Sequence, residues 1–266
     1  MIAFDYETSN LKPFGKDQKI WTIGVSESGS SFAFPYQYPH WNTSQTQEIG
    51  RLWKRILLDE KIEKVAHNLK FEDIWSRKFF GIDEVKGWKW CTMNGAHIED
   101  NRDKFSGLKF QAYIKYGIYP YDSSVQRYIS ASTVEGRNSL DQVPLSDLLL
   151  YCSKDALLAY KLYEEDQTKL FERKKGLGKA YSFFHKGLLC LSQIQSGGIS
   201  IDHPYYLAQN KKLGRKLKLL EKELCEGEES EKFKKKHSRR KIESHNGNIT
   251  SVMVVIFYPS LYFNTE

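Results

Sequence analysis

The stretch Ile2-Ala3-Phe4-Asp5-Tyr6-Glu7-Thr8 decides how this chain is read. It is an apolar run carrying two carboxylates spaced i, i+2. A β-strand puts both acids on one face, with Phe4 and Tyr6 on the other. Two acids side by side on a buried strand repel each other and lose hydration, so they need a compensating partner. A pair of divalent metal ions is one such partner. A strand end whose acids are merely solvated is the plainer alternative. The stretch alone leaves both open, and further ligands have to come from the rest of the chain.

Working outward, Asn10-Leu11-Lys12-Pro13-Phe14-Gly15-Lys16-Asp17 is a polar turn with proline and glycine breakers. Ile20–Val25 and Ser31–Pro35 read as two more strands, the second stopped by its proline, and the three suit an antiparallel meander. Residues 43–60 predict a helix from the i, i+3, i+4, i+7, i+8 spacing of Ile49, Leu52, Trp53, Ile56 and Leu57, with Thr43 or Ser44 as cap. Lys64–Asn68 reads as a short strand, followed directly by a helix over 70–80 that Gly81 ends. Trp88–Cys91 reads as a strand, and Met93–Glu99 and Leu108–Tyr116 as helices. Residues 118–140, rich in Tyr, Ser, Gly and Asn, read as a long connection. A long helix is expected from Pro144 to Phe171, with the proline in its first turn. Strands first, then strand–helix alternation, give an α/β domain with a mixed sheet. Ala180–Gln195 reads as an amphipathic helix, 196–202 as a turn and short strand, and 203–225 as a basic helix.

Composition narrows the class. The four cysteines, Cys91, Cys152, Cys190 and Cys225, form no CxxC pair, which argues against a zinc site and a disulfide framework. The acidic strand begins almost at once, leaving no room for a signal peptide. No apolar run approaches the roughly 20 residues of a membrane span. A cytoplasmic location is expected. The net charge of +7 is local, because residues 207–241 hold 13 Lys/Arg against 6 Asp/Glu. That cluster suits a phosphate backbone or an ordinary solvated helix face equally. From Glu226 onward the chain turns highly charged and then polar, and residues 226–266 are expected to be disordered.

Tyr151 and Asp155 lie four apart on the long helix and share a face with Leu148, Leu158 and Leu162. An Asp in that apolar stripe is out of place unless something charged faces it; a fraying stripe edge is the alternative. Asp5, Glu7, Glu72 or Asp73, and Asp155 thus offer four carboxylates beside a phenol. Hard oxygen ligands of this kind suit Mg²⁺ or Mn²⁺. Two such ions, about 3.5–4 Å apart, would activate a water and stabilise a leaving oxygen in phosphodiester hydrolysis.

Asp5-Tyr6-Glu7-Thr8, Asn68-Leu69-Lys70-Phe71-Glu72 and Tyr151-Cys152-Ser153-Lys154-Asp155 resemble the three motifs of the DEDD 3′–5′ exonucleases. The tyrosine is similar to that of the subclass containing the proofreading domain of family A (DNA polymerase I-like) DNA polymerases. Gly95–Arg102 and Gly107–Tyr113 resemble bacteriophage members. The resemblance covers about residues 1–175 and implies a ribonuclease H-like mixed sheet flanked by helices. It implies Asp5, Glu7 and Asp155 as ligands of two Mg²⁺ or Mn²⁺ ions, with Tyr151 orienting the attacking water. Thr8 and Leu11 match positions at the terminal nucleotide, where the leucine wedges against a base, and Asn68 matches a residue supporting site and substrate. Glu72 falls where the family usually has Asp, so its reach differs, and Asp73 beside it is the fallback. Cys91 is not counted as a ligand, although Cys91-Thr92-Met93 stands where relatives carry an acid.

Residues 176–225 resemble the helical start of a polymerase domain, but no palm Asp-Tyr-Ser or His-Asp-Glu follows. The expectation is a truncated polymerase reading frame or one piece of a split gene, acting on single-stranded DNA 3′ ends beside a separately encoded polymerase domain. The competing readings are an exoribonuclease of the ribonuclease D type and a non-catalytic DNA-binding fragment that uses its basic helix as a clamp.

Overall fold

Strand β1 (Ile2–Thr8) lies at the centre of a five-stranded sheet of order β3-β2-β1-β4-β5 in the computed structural model, which describes residues 1–38, 41–129, 138–227 and 230. β2 (Ile20–Glu27) and β3 (Ser30–Pro35) complete an antiparallel meander on one side of it. β4 (Lys64–Ala66) and β5 (Trp88–Cys91) run parallel on the other. The sheet is therefore mixed, as the strand pattern predicts. Phe4 stands opposite Val25, Asp5 opposite Gly24 and Tyr6 opposite Ile23.

The face bearing Phe4 and Tyr6 is closed by α1 (Thr43–Leu58) and α2 (Leu69–Phe80). Phe4, Tyr6, Trp53, Leu57, Trp75 and Phe80 make the main core there. The Tyr6 hydroxyl accepts from Trp53 Nε1 at 2.7 Å and bonds Ser76 Oγ at 2.8 Å, so this buried phenol oxygen is satisfied. Helix α1 is capped by Asn42, one residue ahead of the expected Thr43 or Ser44. Asn42 Oδ1 accepts from the Gln45 amide, and the Gln45 side chain accepts from the Asn42 amide, forming a capping box.

The opposite face, bearing Ala3, Asp5 and Glu7, is crossed by α6 (Leu145–Lys161). Gly24 explains how closely the helix lies: a Cβ there would stand 2.4 Å from the Cys152 carbonyl oxygen. The absent side chain lets the helix backbone rest on β2, beside Asp5.

The expected single helix to Phe171 is interrupted. After α6 come a π-helical segment, Leu162–Gln167, and α7 (Thr168–Arg173). The wider turn brings Tyr163, Gln167 and Phe171, spaced by four, against Trp90. Gln167 is fully buried, donates to the Thr92 carbonyl at 2.7 Å and accepts from Trp90 Nε1.

The remaining helices of this unit are α3 (Thr92–Glu99), α4 (Leu108–Tyr116), α5 (Gln126–Ile129) and α8 (Lys175–Gly197). The expected connection over 118–140 is not loose where it is described. It contributes α5, and Val125 and Leu140 pack with Val143, Trp21, Leu148 and Tyr151 in a second small core. Helix α8 packs on α2 and α3: Tyr181 stacks on Trp90 with ring centroids 3.5 Å apart, and its hydroxyl accepts from the Cys91 amide at 2.6 Å. These contacts belong to a first compact unit, Met1–Gly198.

The second unit begins at Ile199. Its described part is α9 (His203–Glu226), started by Asp202, whose carboxylate accepts from the Tyr205 amide at 3.0 Å. The short strand expected near 199–202 does not form. The tail assigned to 226–266 lies outside the described residues apart from 226, 227 and 230. Among the described residues no helix is long and apolar enough to cross a membrane.

Candidate active site

Asp5 and Glu7 project from one face of β1 toward α6. Ligand atoms of Asp5, Glu7 and Cys152 all lie within 4.8 Å of one another. Asp155, one helical turn after Tyr151, faces the same acids from α6. Burial raises the Asp5 carboxyl well above the usual carboxylate range, and the Asp155 charge adds to it. Burial likewise raises Glu7, with Asp5 and Asp155 contributing. Asp155 is pushed up to about 6, again chiefly by burial.

Glu72 arrives from the first turn of α2. Asn68 makes this possible: it takes a left-handed backbone conformation, φ 70°, that turns the chain from β4 into the helix. Glu72 is buried, and its carboxyl is raised by that burial and by the Asp5 charge. Its Oε2 has no hydrogen-bond partner among the described residues. The neighbouring Asp73 is placed differently. Its carboxylate takes hydrogen bonds from Arg77, Trp88 Nε1 and Ser192 Oγ, which tie α2 to β5 and α8. The carboxylate of Asp73, expected as the fallback ligand, thus lies in packing contacts away from Glu72, because one step along a helix rotates a side chain by about 100°.

Tyr151 is buried beside the acids, and its phenol is raised far above its ordinary value by burial and by Glu7, Asp155 and Asp5. It therefore stays neutral and offers a hydrogen bond, not a base. Three residues that no short-range pattern exposes surround it. Lys109 Nζ donates to the Tyr151 hydroxyl at 3.0 Å and pairs with Asp122 at 3.1 Å. Tyr121 donates its hydroxyl to Asp155 Oδ1. Lys109 lies in the stretch whose spacing places it at the start of a helix, but nothing local distinguishes it from a solvated lysine. Cys152 comes near the acids without suiting the same role, since burial holds its thiol protonated.

Thr8 ends β1 with its hydroxyl bonded to the Asn10 carbonyl at 2.7 Å, while Asn138 Nδ2 donates to the Thr8 carbonyl at 2.7 Å. Leu11, in the turn that follows, is 79% exposed. Asn68 stands at the entrance to α2 with no side-chain cap bond.

Three buried carboxyls, Glu7, Glu72 and Asp155, one of them with an orphaned oxygen, act together with the half-buried Asp5 and are far from neutralised by a single lysine. The donor set is oxygen-rich, which is the chemistry a hard divalent cation selects. Asp5, Glu7, Asp155 and Glu72 fit that group.

Acids on the central strand of a mixed sheet, completed from a crossing helix, define a ribonuclease H-like fold. Two structures of Brucella melitensis NrnC share it: one bound to pGG has a TM-score of 0.53 at 18% identity, covering 76% of this chain and 88% of that one. The other has a TM-score of 0.50 at 18% identity, covering 76% and 89%. At that identity the likeness speaks for the fold alone. Residues 1–170 match the 3′–5′ exonuclease domain family of the DNA polymerase A type, and the chain belongs to that family. It is also 25% identical over 210 residues to a DNA polymerase of Bacillus phage SP01, across 77% of this chain but only 22% of that protein.

Proposed function

We propose that this chain is a metal-dependent 3′–5′ exonuclease of the DEDD tyrosine subclass, hydrolysing nucleotides from the 3′ end of single-stranded or frayed DNA. In this reading it is the proofreading part of a DNA polymerase and works beside a polymerase domain. The observation that carries the proposal is the convergence of Asp5, Glu7, Asp155 and Glu72 next to a neutral Tyr151. The exonuclease family and the phage polymerase relative support the choice of DNA.

Two Mg²⁺ or Mn²⁺ ions, when bound, would supply charge stabilisation at the scissile phosphate and activate the attacking water. Asp5, Glu7, Asp155 and Glu72 would hold them. Tyr151 cannot take up a proton at neutral pH and cannot readily lose one, so it orients the water by a hydrogen bond. Leu11, exposed in the turn after β1, wedges against the terminal base. Thr8 and Asn68 flank the same end of β1 and line the place of the terminal nucleotide.

The test uses 5′-labelled single-stranded DNA and RNA with Mg²⁺, Mn²⁺ or EDTA. A ladder shortening from the 3′ end of DNA, abolished by EDTA, is expected. Equal or faster loss of RNA would move the assignment to an exoribonuclease of the ribonuclease D type. Retention of DNA without cleavage would leave a binding fragment.

A further inference from the structure

Lys109 lies in the first turn of α4, and its ammonium does more than neutralise charge. It contacts the Tyr151 hydroxyl and Asp122, and it sits 5.0 Å from the centre of the Tyr151 ring. Its side chain is 35% exposed while that of Asp122 is only 9% exposed, so the pair is anchored on the Asp122 side. An ammonium has donors and no acceptor, so the phenol oxygen must accept from it. With that lone pair engaged, the Tyr151 O–H is left to donate toward the acids, to Asp155 or to a water that takes its place there. Tyr121 already occupies Oδ1 of the same carboxylate.

We propose that Lys109 is a positioning residue: held by Asp122, it fixes the direction in which the Tyr151 hydroxyl donates across the acid cluster. This rests on the exonuclease reading above. A phenol free to rotate presents its hydrogen to a water over the acids only part of the time. A phenol whose oxygen is held from behind presents it continuously. The same lysine has a second, opposite influence. Its charge acts on Asp5, Glu7 and Asp155, where it competes with a divalent cation for the same carboxylates. Lys109 therefore favours turnover while weakening metal binding, a pairing that a merely structural residue does not produce.

The experiment compares wild type with Lys109→Met, Lys109→Arg, Tyr151→Phe and the Lys109→Met/Tyr151→Phe double variant. The readouts are steady-state cleavage of a labelled single-stranded oligonucleotide and Mn²⁺ binding by calorimetry. For Lys109→Met, kcat should fall about 10–100-fold, the size usual for residues that orient a site. KM should stay nearly unchanged, and Mn²⁺ should bind severalfold more tightly. The double variant should be no slower than the slower single one, because both changes remove the same oriented hydroxyl. Lys109→Arg, which keeps charge and donors, should regain part of the lost kcat and the wild-type Mn²⁺ affinity. Full kcat in Lys109→Met, losses that multiply in the double variant, or weaker Mn²⁺ binding would each overturn the proposal. If wild type cleaves neither DNA nor RNA, the exonuclease reading falls separately. The Mn²⁺ measurement then decides alone, and unchanged or weaker binding by Lys109→Met overturns it.

Discussion

Phe4 and Tyr6 leave one side of β1 and Asp5 and Glu7 leave the other, so a single strand serves two regions of opposite character. On the first side, Phe4, Trp53, Trp75 and Phe80 pack with α1 and α2, and the Tyr6 hydroxyl is met by Trp53 and Ser76. The side chains there are apolar or aromatic, only the Trp75 indole N–H going without a partner among the described residues, and burial stabilises them. On the second side, α6 covers acids that burial and mutual repulsion disfavour in their charged forms. The contrast teaches that the aromatic face holds the sheet together while the acidic face draws on that stability to keep ligands in place.

The comparison breaks most sharply at Asp5. Asp5→Asn should lower cleavage by about 10³-fold or more, since metal-held charge stabilisation is worth several kcal/mol. It should also raise the melting temperature of the metal-free protein, because one repelling charge is gone. A fall in melting temperature would count against the electrostatic account of this face. Trp75→Ala attacks the other side. It removes a fully buried ring and should cost about 3–5 kcal/mol in denaturant unfolding, with activity lost only as the fold is lost.

Gly24→Ala lies on the acidic side but adds volume instead of charge. The new methyl would meet the Cys152 carbonyl, costing about 1–3 kcal/mol as overpacking usually does. It would also push α6, and with it Tyr151 and Asp155, off the sheet. Its kcat should drop by more than its stability loss explains, as read by cleavage at a temperature where the variant is fully folded. The smallest effect concerns pH. Asp155 holds its proton up to about 6 in the fold against 3.8 ordinarily, and Asp5, Glu7 and Glu72 are raised in the same sense. The folded state thus binds more protons than the unfolded one between those values, and metal-free stability falls as pH rises through them. Melting scans from pH 4 to 7 should drop by a few degrees without metal, and added Mn²⁺ should reverse the trend.

Much of the acidic face is legible in the sequence, because strand and helix periods are local. The i, i+2 acids of β1 and the four-residue step from Tyr151 to Asp155 dictate which side chains share a face. The meander and the apolar stripe of α6 follow the same logic. The division of labour between Glu72 and Asp73 does not, since adjacent helical residues differ only in which neighbours the tertiary fold brings. Lys109, Tyr121 and Asp122 escape for a related reason. Lys109 and Tyr121 reach Tyr151 and Asp155 across more than thirty residues, with Asp122 holding Lys109, and no spacing rule links a lysine on one helix to a phenol on another. Gly24 is equally silent, because an absent methyl matters only once a helix lies on it.

The π-helical segment Leu162–Gln167 resets the phase of the helix that carries Tyr151 and Asp155. Up to Lys161 the thread is cut to fit the sheet under α6; beyond Gln167 it is cut to fit Trp90 and Tyr181. A uniform screw would meet one of these partners and miss the other. The wide turn works as a clutch between them. The change of phase lets one unbroken helical run keep Asp155 in the register of the sheet and Phe171 in that of Trp90.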